Sequence, residues 1–179
     1  MAKASGELWS RQAQSDLDAA NRMLDIGDAS TYCHALAKYQ QSVEKSIKSI
    51  ITTLRDAGII SKEPGWSHEV EKDVSALIHL PSSPTIRDTQ TRIKGLLNDF
   101  RRGEIRALCA LAPKRPAPGE LFRRNTEYPY QKSQDEWTIP SSTDAFTLNE
   151  VRRFEKIAHH ICIESSKLIT ALRRAPGSS

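Results

Sequence analysis

One apolar stripe constrains this chain more than any other feature. Between residues 29 and 57, Leu36, Tyr39, Val43, Ile47, Ile50, Ile51 and Leu54 fall within about 60° of one direction on a helix of 3.6 residues per turn. A strand, whose side chains alternate with a period of two, cannot carry that spacing. A long helix with one apolar face must bury that face against other elements. Nowhere in the sequence does strict alternation persist over five residues, so the partners are expected to be helices as well. Gln40 lies about 40° from the centre of the stripe, Lys45 on the opposite side and Lys48 on the flank. Glu44 and Lys48 stand four apart, in the favourable order for a weak surface pair.

The other segments fit that partnership. A first helix is expected over residues 6–26, with Trp9, Ala13, Leu17, Ala20, Met23 and Leu24 on one face and Asp16 in the middle of it. Gly27 stops it, Asp28 or Ser30 starts the next, and Gly58 ends the second. Pro64 and Gly65 mark a loop, Ser67 caps a short helix through Leu80, and PSSP at 81–84 breaks the chain. A fourth helix spans about 85–111, with Gly95 and Gly103 as weak points where it can kink. Residues 113–146 are rich in proline and polar residues and form a long irregular loop, of the kind that is commonly functional. Thr147 and Glu150, spaced T-x-x-E, form a capping box for a last helix to Arg174. Its inner stripe includes Leu148, Val151, Phe154, Ala158, Cys162, Ser165, Ile169 and Leu172. Residues 175–179 are a frayed tail. The expected fold is all-α: one domain over residues 1–179, an up-down bundle of four long helices plus one short helix. Inside it, an unpaired Gln40 amide would cost roughly 1–3 kcal/mol, and Asp16, equally misplaced on an apolar face, is its expected partner.

Composition excludes several classes of function. No run approaches the length of a membrane span, and MAKASGELW lacks the apolar core of a signal peptide. Cys33, Cys109 and Cys162 are far apart and none sits in a CxxC, so they read as reduced thiols of a cytoplasmic protein. His159, His160 and Cys162 share one helix but not one face, with no second cluster to complete a metal site. The eight glycines are too scattered for a phosphate-binding loop. No metal or cofactor is therefore expected. The net charge is +4, unevenly spread: residues 87–124 carry ten bases against four acids, leaving the remainder slightly acidic. Such a local excess suits a phosphate-rich partner, although a solvated helix face has the same composition.

WSRQAQSDLDAANRML, then YCHALAKYQQSVEKSIKSIITTLRDAG, then a His-led segment beginning SHEV, resemble a HEPN domain, the nucleotide-binding domain of higher eukaryotes and prokaryotes. The resemblance rests on Ala13, Asp16, Leu17 and Ala20 in the first helix. In the second it rests on Gln40, Gln41, Val43, Glu44, Lys45, Ile47, Lys48 and Ile50, followed by Gly58 and His68. It implies a four- to five-helix bundle that often dimerises and works with RNA or nucleotides. Many members are metal-independent ribonucleases with an arginine and a histidine, four to six residues between them, near the start of the last helix. Others partner nucleotidyltransferases or act in toxin–antitoxin and defence systems.

Two places bear on that motif. In VRRFEKIAHH, six residues separate Arg152 from His159 and also Arg153 from His160. Arg152 and His159 share one flank of the last helix, whereas Arg153 and His160 face away from the core. In a chain with this many arginines, the spacing alone carries little information. In RRNTEYPY, Arg124–Asn125 echoes an Arg-Asn form of the motif, but Pro129 stands where the histidine would be. There Arg123 and Arg124 would hold phosphate, with Asn125 in the same candidate binding site, and Tyr128 and Tyr130 would stack on bases; alternatively the aromatics pin the loop onto the bundle. Three readings stay open. The chain is a module binding RNA or nucleotide, beside a nucleotidyltransferase or another effector. Or it is a dimeric ribonuclease using Arg152 and His159. Or it is a structural dimerisation module.

Overall fold

The computed structural model describes residues 5–64, 70–80, 86–114, 116–118 and 120–174. Six helices account for most of it: α1 (Gly6–Asp25), α2 (Tyr32–Asp56), α3 (Val70–Ile78), α4 (Arg87–Leu96), α5 (Asp99–Cys109) and α6 (Leu148–Arg174). A short antiparallel ladder joins β1 (Tyr130–Gln131) to β2 (Trp137–Thr138), with Tyr130 opposite Thr138. Ser67 as a cap, His68, the 81–84 break and the 175–179 tail lie outside the described residues. No helix among the described residues is long and apolar enough to cross a membrane.

The long helices start and stop where the local signals put them. Ser5 Oγ accepts from the Leu8 amide, and Thr147 Oγ1 from the Glu150 amide at 3.2 Å. Both satisfy backbone donors of a first turn. Gly27 (φ 73°) and Gly58 (φ 68°) end α1 and α2 in the left-handed region, where a Cβ would be strained.

Helix α2 is the axis of the bundle, packed against α1, α3, α5 and α6. Its apolar stripe is fully buried, and so are Ser42, Ser46, Ser49 and Thr52 on its other sides. Helix α1 runs antiparallel to α6: Glu7 pairs with Arg173 at 2.6 Å, and Asn21 meets His159 about one turn before the other end of α1. Small side chains let the helices approach. Gly6 lies so close to Ser49 and Thr53 that a Cβ there would overlap them.

Four expectations need correction. The fourth helix is two helices, broken at Leu97–Asn98 and not at a glycine. Asn98 Oδ1 accepts from the Arg101 amide (3.0 Å) and so starts α5, while Arg101 Nη1 donates back to the Gly95 and Leu96 carbonyls ending α4. The 113–146 segment contains a strand pair, too short to show alternation. Asp16 and Gln40 are both buried, but the Asp16 carboxylate is taken by Lys38 (3.1 Å) and Lys45, not by Gln40. Lys45 therefore does not point away from α1. Glu44 and Lys48 pair at 2.6 Å, but both are buried, with the Lys48 ammonium 5.5 Å from the Trp9 ring centre.

Candidate nucleic-acid interface

The 113–146 segment is folded onto the end of the bundle by its polar residues. Thr126 donates its amide to the Leu111 carbonyl at 3.1 Å. Asn125 is buried, and its Oδ1 accepts from the Glu127 and Tyr128 amides, making a side-chain-closed turn. Tyr130 is buried, and that burial raises its hydroxyl above the ordinary value. Lys132 reaches Asp144 at 2.7 Å. Hydrogen bonds from Lys132 and Ser142 hold the Asp144 carboxyl down at about 2.

Arg124 fastens this segment to α6. It donates to Glu150 at 2.6 Å and to the Ala145 carbonyl at 3.1 Å, and its guanidinium lies 4.9 Å from the Phe146 ring centre. The Glu150 side chain of the capping box thus turns outward to Arg124. Of the five residues expected to bind here, the fold itself uses Arg124, Asn125 and Tyr130. Arg123 and Tyr128 face solvent: the Arg123 side chain is 86% exposed and, among the described residues, pairs with Glu120 alone, at 3.9 Å. Beside them are groups that the sequence reading passed over. Phe122 and Trp137 form a tilted ring pair, 5.4 Å between centres, with Phe122 40% and Trp137 54% exposed. Lys114, Arg123 and Arg124 line a groove of about 250 Å³. The signal for the ring pair was two aromatics in a polar stretch, but only the β1–β2 ladder brings them together.

The α6 flank holds the other candidates. His159 Nε2 lies 3.3 Å from Asn21 Oδ1, which also accepts from the buried Tyr39 hydroxyl at 2.9 Å. With Asn21 Oδ1 as the acceptor, the tautomer that fits carries its proton on Nε2. Arg152 Nη1 donates to both oxygens of Glu155, at 3.0 and 2.9 Å. This bond raises the guanidinium further above its already high value. The structure therefore orients His159 from α1 and neutralises Arg152 within α6, and Arg152 and His159 make no hydrogen bond to each other. Arg153 and His160 do not simply face away. Arg153 pairs with Glu104 of α5 at 2.6 Å, and His160 lines a groove against α4 and α5. That side of α6 is covered because the broken fourth helix folds back over it.

Among the described residues no group of three or more histidine, cysteine or acidic side chains is placed to hold a metal ion. The cysteines are buried. Burial raises Cys33 and Cys162, and raises Cys109 to about 12, so none is a thiolate nucleophile at neutral pH.

With this geometry the helical core can be compared with known families. The family model of the HEPN domain matches residues 7–106, more than half of the chain. The chain belongs to the HEPN domain family. The matched span covers α1 to α4 and most of α5, so the buried Asp16 and the Gln40–Lys48 stretch are parts of the HEPN core. No curated protein and no solved structure matches the chain. Membership makes this a helical module of a nucleotide- and RNA-related class whose members often dimerise.

Proposed function

We propose that this HEPN domain binds RNA or a nucleotide on the outer surface of the 113–146 segment. Arg123 and Lys114 take phosphate there, and Tyr128 with the Phe122–Trp137 pair takes bases. The observation that carries this reading is the exposed Arg123 beside exposed aromatic rings on a segment fixed to α6 by Arg124. Bases of any sequence stack on such rings, worth roughly 1–3 kcal/mol each, and cations that follow the backbone release counterions. In keeping with the family, the module acts in the cytoplasm as a homodimer beside a nucleotidyltransferase or a defence or toxin effector. Fluorescence anisotropy with a short single-stranded RNA tests the binding. Affinity should fall steeply with salt. Arg123→Ala should lower the slope of log K against log salt by about one, and Tyr128→Ala should weaken binding at every salt concentration. An absence of binding even at low salt sinks this reading.

One observation favours a second reading, a metal-independent endoribonuclease using Arg152 and His159. Asn21 holds the His159 ring at 3.3 Å, the kind of orientation that an imidazole doing proton transfer needs. His159→Ala should then abolish cleavage of single-stranded RNA in the presence of a chelator. Against it stands Glu155, which already claims the Arg152 charge.

A further inference from the structure

The break between α4 and α5 creates a basic site that the loop surface does not use. A groove of about 350 Å³ opens where the bend stands against α6, lined by Arg92, Arg101, His160, Glu164 and Lys167. Arg101 is pre-oriented in it. Its Nη1 is spent on the Gly95 and Leu96 carbonyls, while Nε and Nη2 have no acceptor among the described residues. Arg92 forms no ion pair among the described residues. Lys167 shares its charge with Glu164 at 2.7 Å. Three cations against one carboxylate leave two positive charges in excess while the imidazole is neutral. Burial, and then Arg101, hold His160 below the usual histidine value, whereas Glu164 pulls the other way.

We propose that this groove seats a terminal phosphate, the dianion of a phosphomonoester, on Arg92, Arg101, Lys167 and His160. The charge balance selects it. A monoester close to its second ionisation carries nearly two negative charges and three acceptor oxygens. A backbone diester carries one charge and leaves the groove cationic. The guanidinium of Arg101 offers its remaining donors in the fork geometry that phosphate oxygens accept, and Lys167 adds a point charge. The groove lies at the small end of the ~300–1,000 Å³ range of ligand pockets, room for a phosphate and the sugar that bears it. A small phosphorylated molecule and the phosphorylated end of an RNA present the same group.

The test follows the His160 imidazole by NMR in the intact chain at constant ionic strength. Added inorganic phosphate should raise the His160 pKa and saturate in the millimolar range. Arg92→Gln and Lys167→Gln, both surface changes, should each weaken this by roughly tenfold, the loss expected for one charged hydrogen bond. Arg101→Gln should weaken it further, and circular dichroism establishes whether α4 survives that change. A nucleoside monophosphate and a 5′-phosphorylated oligoribonucleotide, each against its 5′-hydroxyl counterpart, separate the sources. A gain from the phosphate in either pair supports the seat and identifies its donor. If His160 does not respond to phosphate at tens of millimolar, or responds equally in Arg92→Gln and Lys167→Gln, the proposal falls. It also falls if neither phosphorylated form shifts His160 more strongly than its 5′-hydroxyl counterpart. Arg123→Ala and Tyr128→Ala leave the titration with inorganic phosphate unchanged, so failure of the loop surface and failure of the groove are read separately.

Discussion

Lys45 of α2 closes its ammonium onto the buried carboxylate of Asp16 on α1, and Lys38 joins from one side at 3.1 Å. The pair crosses the α1–α2 interface, and Asp16 is 3% exposed while its lysines keep one edge in water. Asp16→Ala removes the acceptor of two cations at once. It should cost about 2–4 kcal/mol, because a buried ion pair that loses one member leaves an uncompensated charge. Lys38→Ala, which leaves Lys45 in place and removes a partly exposed partner, should cost less than about 1 kcal/mol. Urea unfolding of the two variants checks the order. Equal losses would mean that Lys38, not Lys45, holds the carboxylate.

Gly6 decides between two opposing effects. Replacing a helical glycine with alanine favours the helix by up to ~1 kcal/mol. Here the added Cβ would overlap Thr53 Oγ1 and come within 2.8 Å of the Ser49 carbonyl oxygen. Thr53 can rotate but the backbone oxygen cannot, and overpacking of this kind costs typically ~1–3 kcal/mol. Gly6→Ala is therefore expected to lower the melting temperature, and Gly6→Ala with Thr53→Ala to recover only part of the loss. A stabilised single variant would show that the first turn of α1 moves aside.

The α2 stripe, the Gly27 and Gly58 stops and the Thr147 cap are local, so periodicity and turn chemistry place them. Where α1 passes is not local. Lys45 sits opposite the stripe on a helical projection, yet its long stem reaches Asp16 because α1 wraps that side of α2. Glu44 and Lys48 look like a surface pair until α2 is seen to be enclosed by four helices. The α4–α5 break depends on Asn98 and Arg101 acting together, and the glycines nearby point to other positions. His160 acquires a groove only after that break folds α4 and α5 over α6. Arg92 and Arg101 had left their trace in the basic excess of residues 87–124, which gave the sign of the charge and not its address.

Asp144 offers a pH test of how the β1–β2 ladder is held. Its carboxyl titrates at about 2, below the ordinary 3.8, chiefly through hydrogen bonds from Lys132 and Ser142. A carboxyl depressed in the folded state contributes stability that is fully present above its unfolded value and lost as pH falls from about 3.8 through about 2. In Lys132→Met the Asp144 titration should move up toward 3.8, and the acid loosening of the ladder should begin at higher pH. Carboxyl-carbon NMR of Asp144, with amide shifts of Tyr130 and Lys132, reads both. An unchanged Asp144 titration in Lys132→Met would rule out the Lys132 bond as the main cause.

Arg123 and Arg124 are neighbours in sequence with opposite expected roles, and their variants should separate. Arg124 joins three parts of the fold: the Glu150 carboxylate, the Ala145 carbonyl and the Phe146 ring. Its removal leaves the Ala145 carbonyl without that donor and Glu150 without its cation. Because the Arg124 side chain is 43% exposed, solvent screens the pair, and the loss in global stability should stay near 1 kcal/mol. The local effect should be larger. Amides held by the ordered segment, such as Thr126 on Leu111 and Gln131 on Phe122, should exchange faster in Arg124→Ala, since a segment joined by few contacts opens independently of the core. Among the described residues, Arg123→Ala removes a single ion pair, the 3.9 Å contact to Glu120, and should leave exchange and stability at wild-type values while weakening RNA binding. Glu150→Gln completes the comparison: it should speed the same amides as Arg124→Ala, and adding it to Arg124→Ala should change little, because the two side chains act through one bond. Exchange unchanged in Arg124→Ala would mean that the segment is held without Arg124, by contacts such as Thr126 on Leu111, and would return Arg124 to the set of candidate phosphate ligands.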